Sequence, residues 1–143
     1  RADRYDEILA DLPLKLPKRF NDRSSAWHLY VVELTDDAKC DRAALFATMR
    51  EAGIGVNVHY IPIHTQPHYE RLGFARGDFP AAEAYYDRAI TIPLFPAMTD
   101  EEQDRVAQVI RACCGEDDQV EDVRAPPRHH RGRGHRRCRS PHD

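Results

Sequence analysis

Apolar residues recur at the spacing of an amphipathic helix in three stretches of the chain. The first occupies residues 1–12 and must end before Pro13, which cannot continue a helix. The second follows Asp41, a favourable N-cap, and stops at Gly53, a favourable helix terminator. The third begins at the capping-box sequence Thr99-Asp-Glu-Glu102 and carries an apolar stripe formed by Val106, Val109, Ile110 and Cys113. Two shorter helices are predicted where a proline suits the first helical turn, namely at Pro67 and at Pro80.

Runs of aromatic and β-branched residues predict three β-strands between these helices. Residues 26–34 are apolar on both faces, which is typical of a buried strand. Residues 54–60 alternate apolar and polar side chains, as a half-buried strand does. Residues 90–94 predict a third strand, which Pro93 restricts to a sheet edge or a strand end. Strands interleaved with helices through short connections predict an α/β, or layered α+β, domain over residues 1–114.

Residues 115–143 differ in composition from the rest of the chain. An acidic patch precedes a run with seven arginines between Arg124 and Arg139 and almost no apolar side chain. Such a segment cannot form a core, so we expect it to be disordered. The arginines would attract phosphate groups, but no aromatic residue is interleaved to stack on bases, and a nucleic-acid partner is not predicted. Two origins of this tail stay open: a genuine extension, and translation in a shifted frame through GC-rich DNA.

The overall composition fits one soluble domain with a tail. The chain has 143 residues, 41% of them apolar and 31% charged, and a net charge of -3. No apolar run approaches the ~20 residues that span a bilayer, so no membrane segment is predicted. The first residue is not Met and no signal-peptide core follows it, so we expect a piece of a longer protein. The cysteines lack the spacing of a disulfide framework or a zinc site, which predicts reduced thiols in a cytoplasmic protein for Cys40, Cys113, Cys114 and Cys138.

Residues able to contact a ligand concentrate between residues 53 and 69. A short apolar strand runs there into polar, aromatic and proline residues, with candidate ligand contacts at His59, Tyr60, Pro62 and His64. Side chains that follow a strand are common ligand contacts in α/β layers. The pattern therefore predicts a binding wall at the end of this strand. Two further residues, His28 and Tyr30, lie on one face of the predicted strand 26–34 and would support the wall.

A metal site is the rival interpretation of the same histidines. His59, His64 and His68 are spaced by five and four residues, but Pro67 makes a regular helical pairing of the last two doubtful. No metal site is predicted. The aromatic residues outside this stretch are most simply core or interface residues, namely Trp27, Tyr85 and Tyr86.

Several motifs follow one another in an order that resembles a known family. They are Trp27-His28-Leu29-Tyr30, Gly53-Ile-Gly-Val56, His59-Tyr60-x-Pro62-x-His64, Gln66-Pro67-x-Tyr69, Phe79-Pro80-x-Ala82-Glu83 and Thr91-Ile-Pro-Leu94. Over residues 1–114, this order resembles the C-terminal segment of the pyridoxal-phosphate-dependent nucleotide-sugar aminotransferases of the DegT/DnrJ/EryC1/StrS family. Within that family, the run from His59 to Pro67 is similar to that of enzymes of pseudaminic acid synthesis.

The resemblance implies the C-terminal small domain of a fold-type I aminotransferase that works as a homodimer. Such an enzyme carries an amino group from glutamate, through pyridoxal phosphate, to a 4-keto-6-deoxy-N-acetylhexosamine on UDP. The resemblance implies that the Schiff-base lysine lies in the larger N-terminal domain. The lysines of this chain lie in extended or charged segments, which do not suit that role, at Lys15, Lys18 and Lys39. The resemblance thus implies no catalytic residue here and substrate-binding roles for the residues of the predicted wall. Two alternatives stay open: another sugar nucleotide within the family, and a non-catalytic module for sugar-nucleotide binding or dimerisation.

Overall fold

The computed structural model describes residues 1–115, and these residues form five α-helices and three β-strands in one α/β arrangement. In chain order the elements are α1 (Ala2–Ile8), β1 (Leu14–Lys15), β2 (Tyr30–Leu34), α2 (Arg42–Glu51), a 3₁₀ turn (Ile63–Thr65), α3 (Pro67–Glu70), α4 (Pro80–Arg88), β3 (Ala89–Ile92) and α5 (Asp100–Cys114). The predicted tail, residues 115–143, lies outside the described residues apart from Gly115. None of the helices in the described part is long and apolar enough to cross a bilayer.

The three strands form one antiparallel sheet in the order β1-β2-β3. The register of the central strand places Tyr30 opposite Ile92 and Val32 opposite Ile90. On the outer side of β3, Asn57 and Thr91 exchange two backbone hydrogen bonds, at 2.8 and 3.1 Å. A small α/β domain with helices packed on a short sheet confirms the predicted fold class.

The core lies between the sheet and helices α1, α2 and α5. Alternate residues of β2 are buried, because successive side chains of a strand point to opposite faces. They join an apolar cluster that includes Tyr5 and Leu9 of α1, Leu45 and Met49 of α2, and Val106 and Ile110 of α5. Helix α5 packs on both α1 and α2, and so closes the domain.

The predicted caps of α2 and α5 and the predicted stop at Gly53 are confirmed, whereas α1 ends at Ile8, earlier than the predicted end before Pro13. The side chain of Asp41 accepts a hydrogen bond from the backbone nitrogen of Ala44 at 2.7 Å. Both bonds of the predicted capping box are present between Thr99 and Glu102, at 2.8 and 3.2 Å. Gly53 ends α2 with a φ of +75°, a conformation that glycine adopts without steric cost. In α5, however, Cys114 is the fully buried cysteine and Cys113 only half-buried, so the predicted stripe is shifted at its end.

Two of the strand predictions are wrong in extent. Strand β2 begins only at Tyr30, because Trp27 has a φ of +52° and its backbone nitrogen donates to Ser25 Oγ rather than to a neighbouring strand. Residues 54–60 are not a strand and pair with β3 only at Asn57. The side chain of Asn57 accepts the backbone N–H of Val58 at 2.8 Å, which competes with a continued ladder.

The expectation of reduced thiols is also wrong for two cysteines. Cys40 and Cys114, 74 positions apart in sequence, form a disulfide with their Cα atoms 5.1 Å apart. The backbone nitrogen of Lys39 donates to the carbonyl oxygen of Cys114 at 3.2 Å, which brings the two segments together. Cys113 is a free thiol, and Cys138 lies outside the described residues.

Candidate functional site

The candidate site is built on the connection between α2 and α4. We call residues 59–79 the aromatic loop, because exposed aromatic and aliphatic side chains recur along it. Those exposed by more than a third of their surface are Tyr60, Ile61, Ile63, Tyr69, Leu72, Phe74 and Phe79. Exposed apolar area of this kind is typical of a surface that contacts a ligand or another protein domain.

His59 is the first residue of the aromatic loop, two positions after Asn57, which pairs with β3. Its Nδ1 lies 2.8 Å from the hydroxyl oxygen of Thr91, a buried residue of β3, so the imidazole is anchored on the sheet. The ring also packs edge-on against Tyr60, with centroids 4.6 Å apart. Within residues 1–115 the Nε2 atom of His59 makes no hydrogen bond. A histidine fixed through one nitrogen can present the other to a ligand oxygen.

Tyr60 and Pro62, which follow His59 in this segment, differ in exposure and in role. Tyr60 is 72% exposed, the largest fraction among the exposed large apolar residues of the described chain. Pro62 is buried, and its carbonyl oxygen accepts hydrogen bonds from the backbone nitrogen and the hydroxyl of Thr65, at 3.0 and 2.8 Å. Pro62 therefore fixes the 3₁₀ turn, while Tyr60 offers an open ring face to a binding partner.

His64 is buried inside the loop. It is only 6% exposed, and its Nε2 lies 2.8 Å from Glu83 Oε1 on α4. The same carboxylate oxygen accepts the backbone N–H of Gly77 at 2.7 Å. The Gly77 hydrogen bond, with a further one from His64, lowers the pKa of Glu83, so this carboxylate is ionised at neutral pH. An ionised acceptor requires His64 to carry its proton on Nε2 and to donate it.

A chain of ring contacts continues from His64 through the rest of the loop. Its ring centroid lies 4.8 Å from that of Phe79, which in turn lies 6.1 Å from Phe74. Phe74 is 6.4 Å from Tyr69, in an edge-to-face geometry that aromatic pairs prefer. The loop thus holds its own shape through ring contacts and the His64–Glu83 pair.

The structure places the two predicted supporting residues, His28 and Tyr30, differently from the expectation. Tyr30 is fully buried, and its hydroxyl donates to Asp6 Oδ1 at 2.5 Å. Burial first, and this hydrogen bond second, raise the pKa of Tyr30. Its ring packs on Tyr5 and Trp27, neither of which belongs to the aromatic loop. His28 is exposed and precedes the strand, so the expectation that both residues share a strand face is wrong.

Sequence reasoning missed the two residues that hold the histidines. Thr91 and Glu83 lie 32 and 19 positions away from their partners, so no local pattern links them. The sequence did contain one indication of the role of Glu83. It is a carboxylate between alanines and tyrosines on a short predicted helix. A buried carboxylate needs a partner, and the partner here is a histidine of the predicted wall.

The described residues do not fit a Schiff-base site for pyridoxal phosphate. The ammonium group of Lys15 pairs with Glu33 Oε1 at 2.9 Å on an exposed surface. Lys18 lies over the ring of Phe20, and Lys39 lies in the turn before α2. None of the three belongs to the aromatic loop. The histidines of the loop also form no three-ligand metal cluster within residues 1–115.

Comparison with known proteins gives a consistent result. Residues 1–111 match the sequence pattern of the DegT/DnrJ/EryC1/StrS aminotransferase family. The spore coat polysaccharide biosynthesis protein SpsC of Bacillus subtilis (strain 168) is 36% identical over 114 residues, which are 77% of this chain and 29% of SpsC. Protein MJ1066 of Methanocaldococcus jannaschii is 37% identical over 93 residues, which are 64% of this chain and 24% of MJ1066.

Solved structures agree with the sequence comparison. Spr1654 from Streptococcus pneumoniae, in its PLP-form, superposes with a TM-score of 0.71 at 29% identity, over 78% of this chain and 29% of Spr1654. A DegT DnrJ EryC1 StrS aminotransferase from Brucella abortus gives a TM-score of 0.66 at 31% identity, over 80% of this chain and 30% of that protein. The chain spans about 29% of the length of SpsC and of Spr1654.

Proposed function

Because the chain belongs to the DegT/DnrJ/EryC1/StrS aminotransferase family, we propose that it forms the small domain of a pyridoxal-phosphate-dependent nucleotide-sugar aminotransferase. The observation that carries this proposal is the placement of His59 and Tyr60. One is anchored on the sheet through Thr91, and the other presents an exposed ring beside it. Together they offer a hydrogen-bonding nitrogen and an aromatic face, the two groups that recognise a sugar or diphosphate oxygen and a flat ring.

The proposed roles follow from these positions. His59 Nε2 bonds an oxygen of the sugar or the diphosphate, and Tyr60 packs on a ring of the sugar nucleotide. Pro62 keeps both at the start of a rigid turn. His64, with Nε2 already engaged by Glu83, fixes the loop behind them.

His28 and Tyr30 remain proposed as more distant supports of the binding wall. The exposed imidazole of His28 can reach a ligand only from outside the sheet. Tyr30 acts on any ligand only through the packing of the core, because its hydroxyl is engaged by Asp6. The contacts of His28 and Tyr30 support these two roles less directly than the contacts of His59 and Tyr60 support theirs.

The proposed reaction transfers an amino group from glutamate to a UDP-4-keto-6-deoxy-N-acetylhexosamine, a step of pseudaminic acid synthesis. The motif from His59 to Pro67 supports this substrate, and the name of the relative SpsC supports polysaccharide synthesis in general. Pyridoxal phosphate and its lysine would come from a larger domain outside this chain, since the lysines described here do not fit that role. We propose that the whole enzyme is a cytoplasmic homodimer, without a membrane or nucleic-acid partner. Another sugar nucleotide of the same family is the nearest alternative.

The exposed aliphatic residues of the loop favour a second candidate function. Ile61 and Ile63 are 52% and 61% exposed, and burying this apolar surface against a partner would be favourable. A domain that binds sugar nucleotides or a second copy of itself, without catalysis, would use the same surface. Such a module would bind the ligand alone, and no larger domain would be needed for its stability.

Binding by the 143-residue chain tests the proposed ligand contacts. Saturation-transfer NMR with UDP-N-acetylglucosamine as the probe should show transfer to the sugar and uridine protons. Tyr60→Ala and His59→Ala should each reduce the transfer several-fold, because they remove the stacking face and the anchored donor. The control is Phe20→Ala, which removes an exposed ring outside the aromatic loop and should leave the signal unchanged. Equal transfer in the Tyr60→Ala variant would refute the assignment.

A further inference from the structure

Three cysteine sulfurs meet where the start of α2 lies beside the end of α5. Cys40 lies in the turn before α2, and Cys113 and Cys114 lie in the last turn of α5. Within residues 1–115, their sulfur atoms form the one group of three ligand atoms that could hold a metal, all within 4.8 Å of one another. Three cysteine sulfurs at one point differ from a lone cysteine, because on reduction of the disulfide they become a set of three soft ligands.

Regular structure on both sides positions these cysteines. Asp41 caps α2 directly after Cys40, and the backbone of Lys39 is bonded to that of Cys114. Helices α2 and α5 pack against each other, and Cys113 Sγ lies 3.8 Å from the hydroxyl oxygen of Thr48 on α2. The cluster is therefore held by two packed helices rather than by a loose loop.

The geometry suits a thiophilic divalent cation. Zinc–thiolate bonds are about 2.3 Å long, so three sulfurs around one tetrahedral zinc lie about 3.8 Å apart. The three sulfurs all lie within 4.8 Å of one another, and once the Cys40–Cys114 disulfide is reduced its two sulfurs separate toward this spacing. The carbonyl end of α5 adds the negative end of a helix dipole, which also favours a cation.

An adjacent cleft gives access to the cluster. Cys114 lines a cleft of about 580 Å³ together with Asp11, Asp37, Lys39 and Arg111. A cation held by three thiolates has room for a fourth ligand, and a water molecule from this cleft can supply it.

We propose that Cys40, Cys113 and Cys114, when all are reduced, bind one thiophilic divalent cation such as zinc and join α5 to the start of α2. The disulfide between Cys40 and Cys114 uses two of the three ligands, so the disulfide form and the metal-bound form exclude each other. A reducing compartment, as proposed above, keeps thiols available for a metal. This site is independent of the sugar-nucleotide function.

The test uses the reduced 143-residue chain and cadmium as the probe, because cadmium thiolates have an ultraviolet charge-transfer band beyond the peptide absorption and histidine complexes do not. One equivalent of Cd²⁺ should saturate the absorption, and only a large excess of Zn²⁺ should reverse it, because thiolates prefer the softer cadmium. Cys113→Ser, at a half-buried position, should weaken binding by roughly tenfold or more, as the loss of a direct ligand exceeds the usual effect of an outer one. Cys40→Ser should do the same.

Cys138→Ser is the matched control, because it removes the one cysteine outside the described residues. It should leave the stoichiometry and the affinity unchanged. The far-ultraviolet circular dichroism of each variant shows whether it is folded, and Cys113→Ser decides the question if Cys40→Ser does not fold. Unchanged cadmium absorption in Cys113→Ser, or its loss in Cys138→Ser, would overturn the proposed site.

Discussion

The helix-and-sheet core and the aromatic loop use different interactions to hold their shape. In the core, apolar side chains from α1, α2, α5 and the sheet bury one another almost completely. In the aromatic loop, most large apolar side chains are exposed, and the His64–Glu83 pair with a chain of ring contacts replaces burial. The difference indicates that the core supplies stability and that the loop is a surface prepared for contact.

The largest expected effect comes from matched isoleucines in the two regions. Ile110→Ala in α5 removes a fully buried side chain and should lower the free energy of unfolding by about 2 to 5 kcal/mol. Ile63→Ala removes the same atoms from the exposed loop and should change it by less than about 0.5 kcal/mol. Urea denaturation of both variants under equal redox conditions measures the difference. Similar losses in both would show that the loop is part of the core.

A smaller effect is expected from two tyrosine hydroxyls. Tyr30→Phe removes the partly buried hydrogen bond to Asp6 and should lower the free energy of unfolding by about 1 kcal/mol. Tyr60→Phe removes an exposed hydroxyl and should leave stability unchanged. Thermal unfolding of the two variants makes the comparison. If Tyr30→Phe altered sugar-nucleotide binding instead of stability, Tyr30 would belong to the binding wall.

The smallest effect is expected in the pH dependence of the loop. The pKa of Glu83 is lowered from its ordinary value of 4.5, so its ionised form stabilises the folded loop above that pH. This contribution is lost as the pH falls from 4.5 through the lowered folded value. The Gly77 amide proton, which is bonded to the carboxylate, should therefore shift in NMR spectra over this acid range.

Replacing the carboxylate isolates this contribution. Glu83→Gln should abolish the acid shift of the Gly77 amide, because an amide side chain does not titrate. Glu70→Gln changes an exposed glutamate of α3 and serves as the control that retains the shift. A titrating Gly77 signal in Glu83→Gln would mean that another acid group controls the loop.

Local signals in the sequence predicted much of the fold. The caps at Asp41 and Thr99, the stop at Gly53 and the short helices at Pro67 and Pro80 depend on neighbouring residues, and the structure confirms them. The strands were harder, because Trp27 adopts a positive φ and Asn57 bonds its own backbone neighbour, neither of which hydrophobic patterning predicts.

Contacts between distant residues could not be predicted from the pattern. The Cys40–Cys114 disulfide spans 74 positions and depends on how α5 packs beside the turn before α2. The burial of His64 depends on Glu83, and the anchoring of His59 depends on Thr91. The residues of the predicted wall were thus found by residue type and motif, while their division into exposed and supporting groups required the fold.

The central claim is that the start of the aromatic loop, beside β3, contacts a sugar nucleotide. Titration of the ¹⁵N-labelled 143-residue chain with UDP-N-acetylglucosamine, followed by amide chemical shifts, tests it most directly. We predict that the largest changes occur in residues 59–64 and at Thr91. Changes confined to the separate cleft lined by Lys18, Phe20 and Trp27, or no changes at any concentration of the nucleotide, would contradict it.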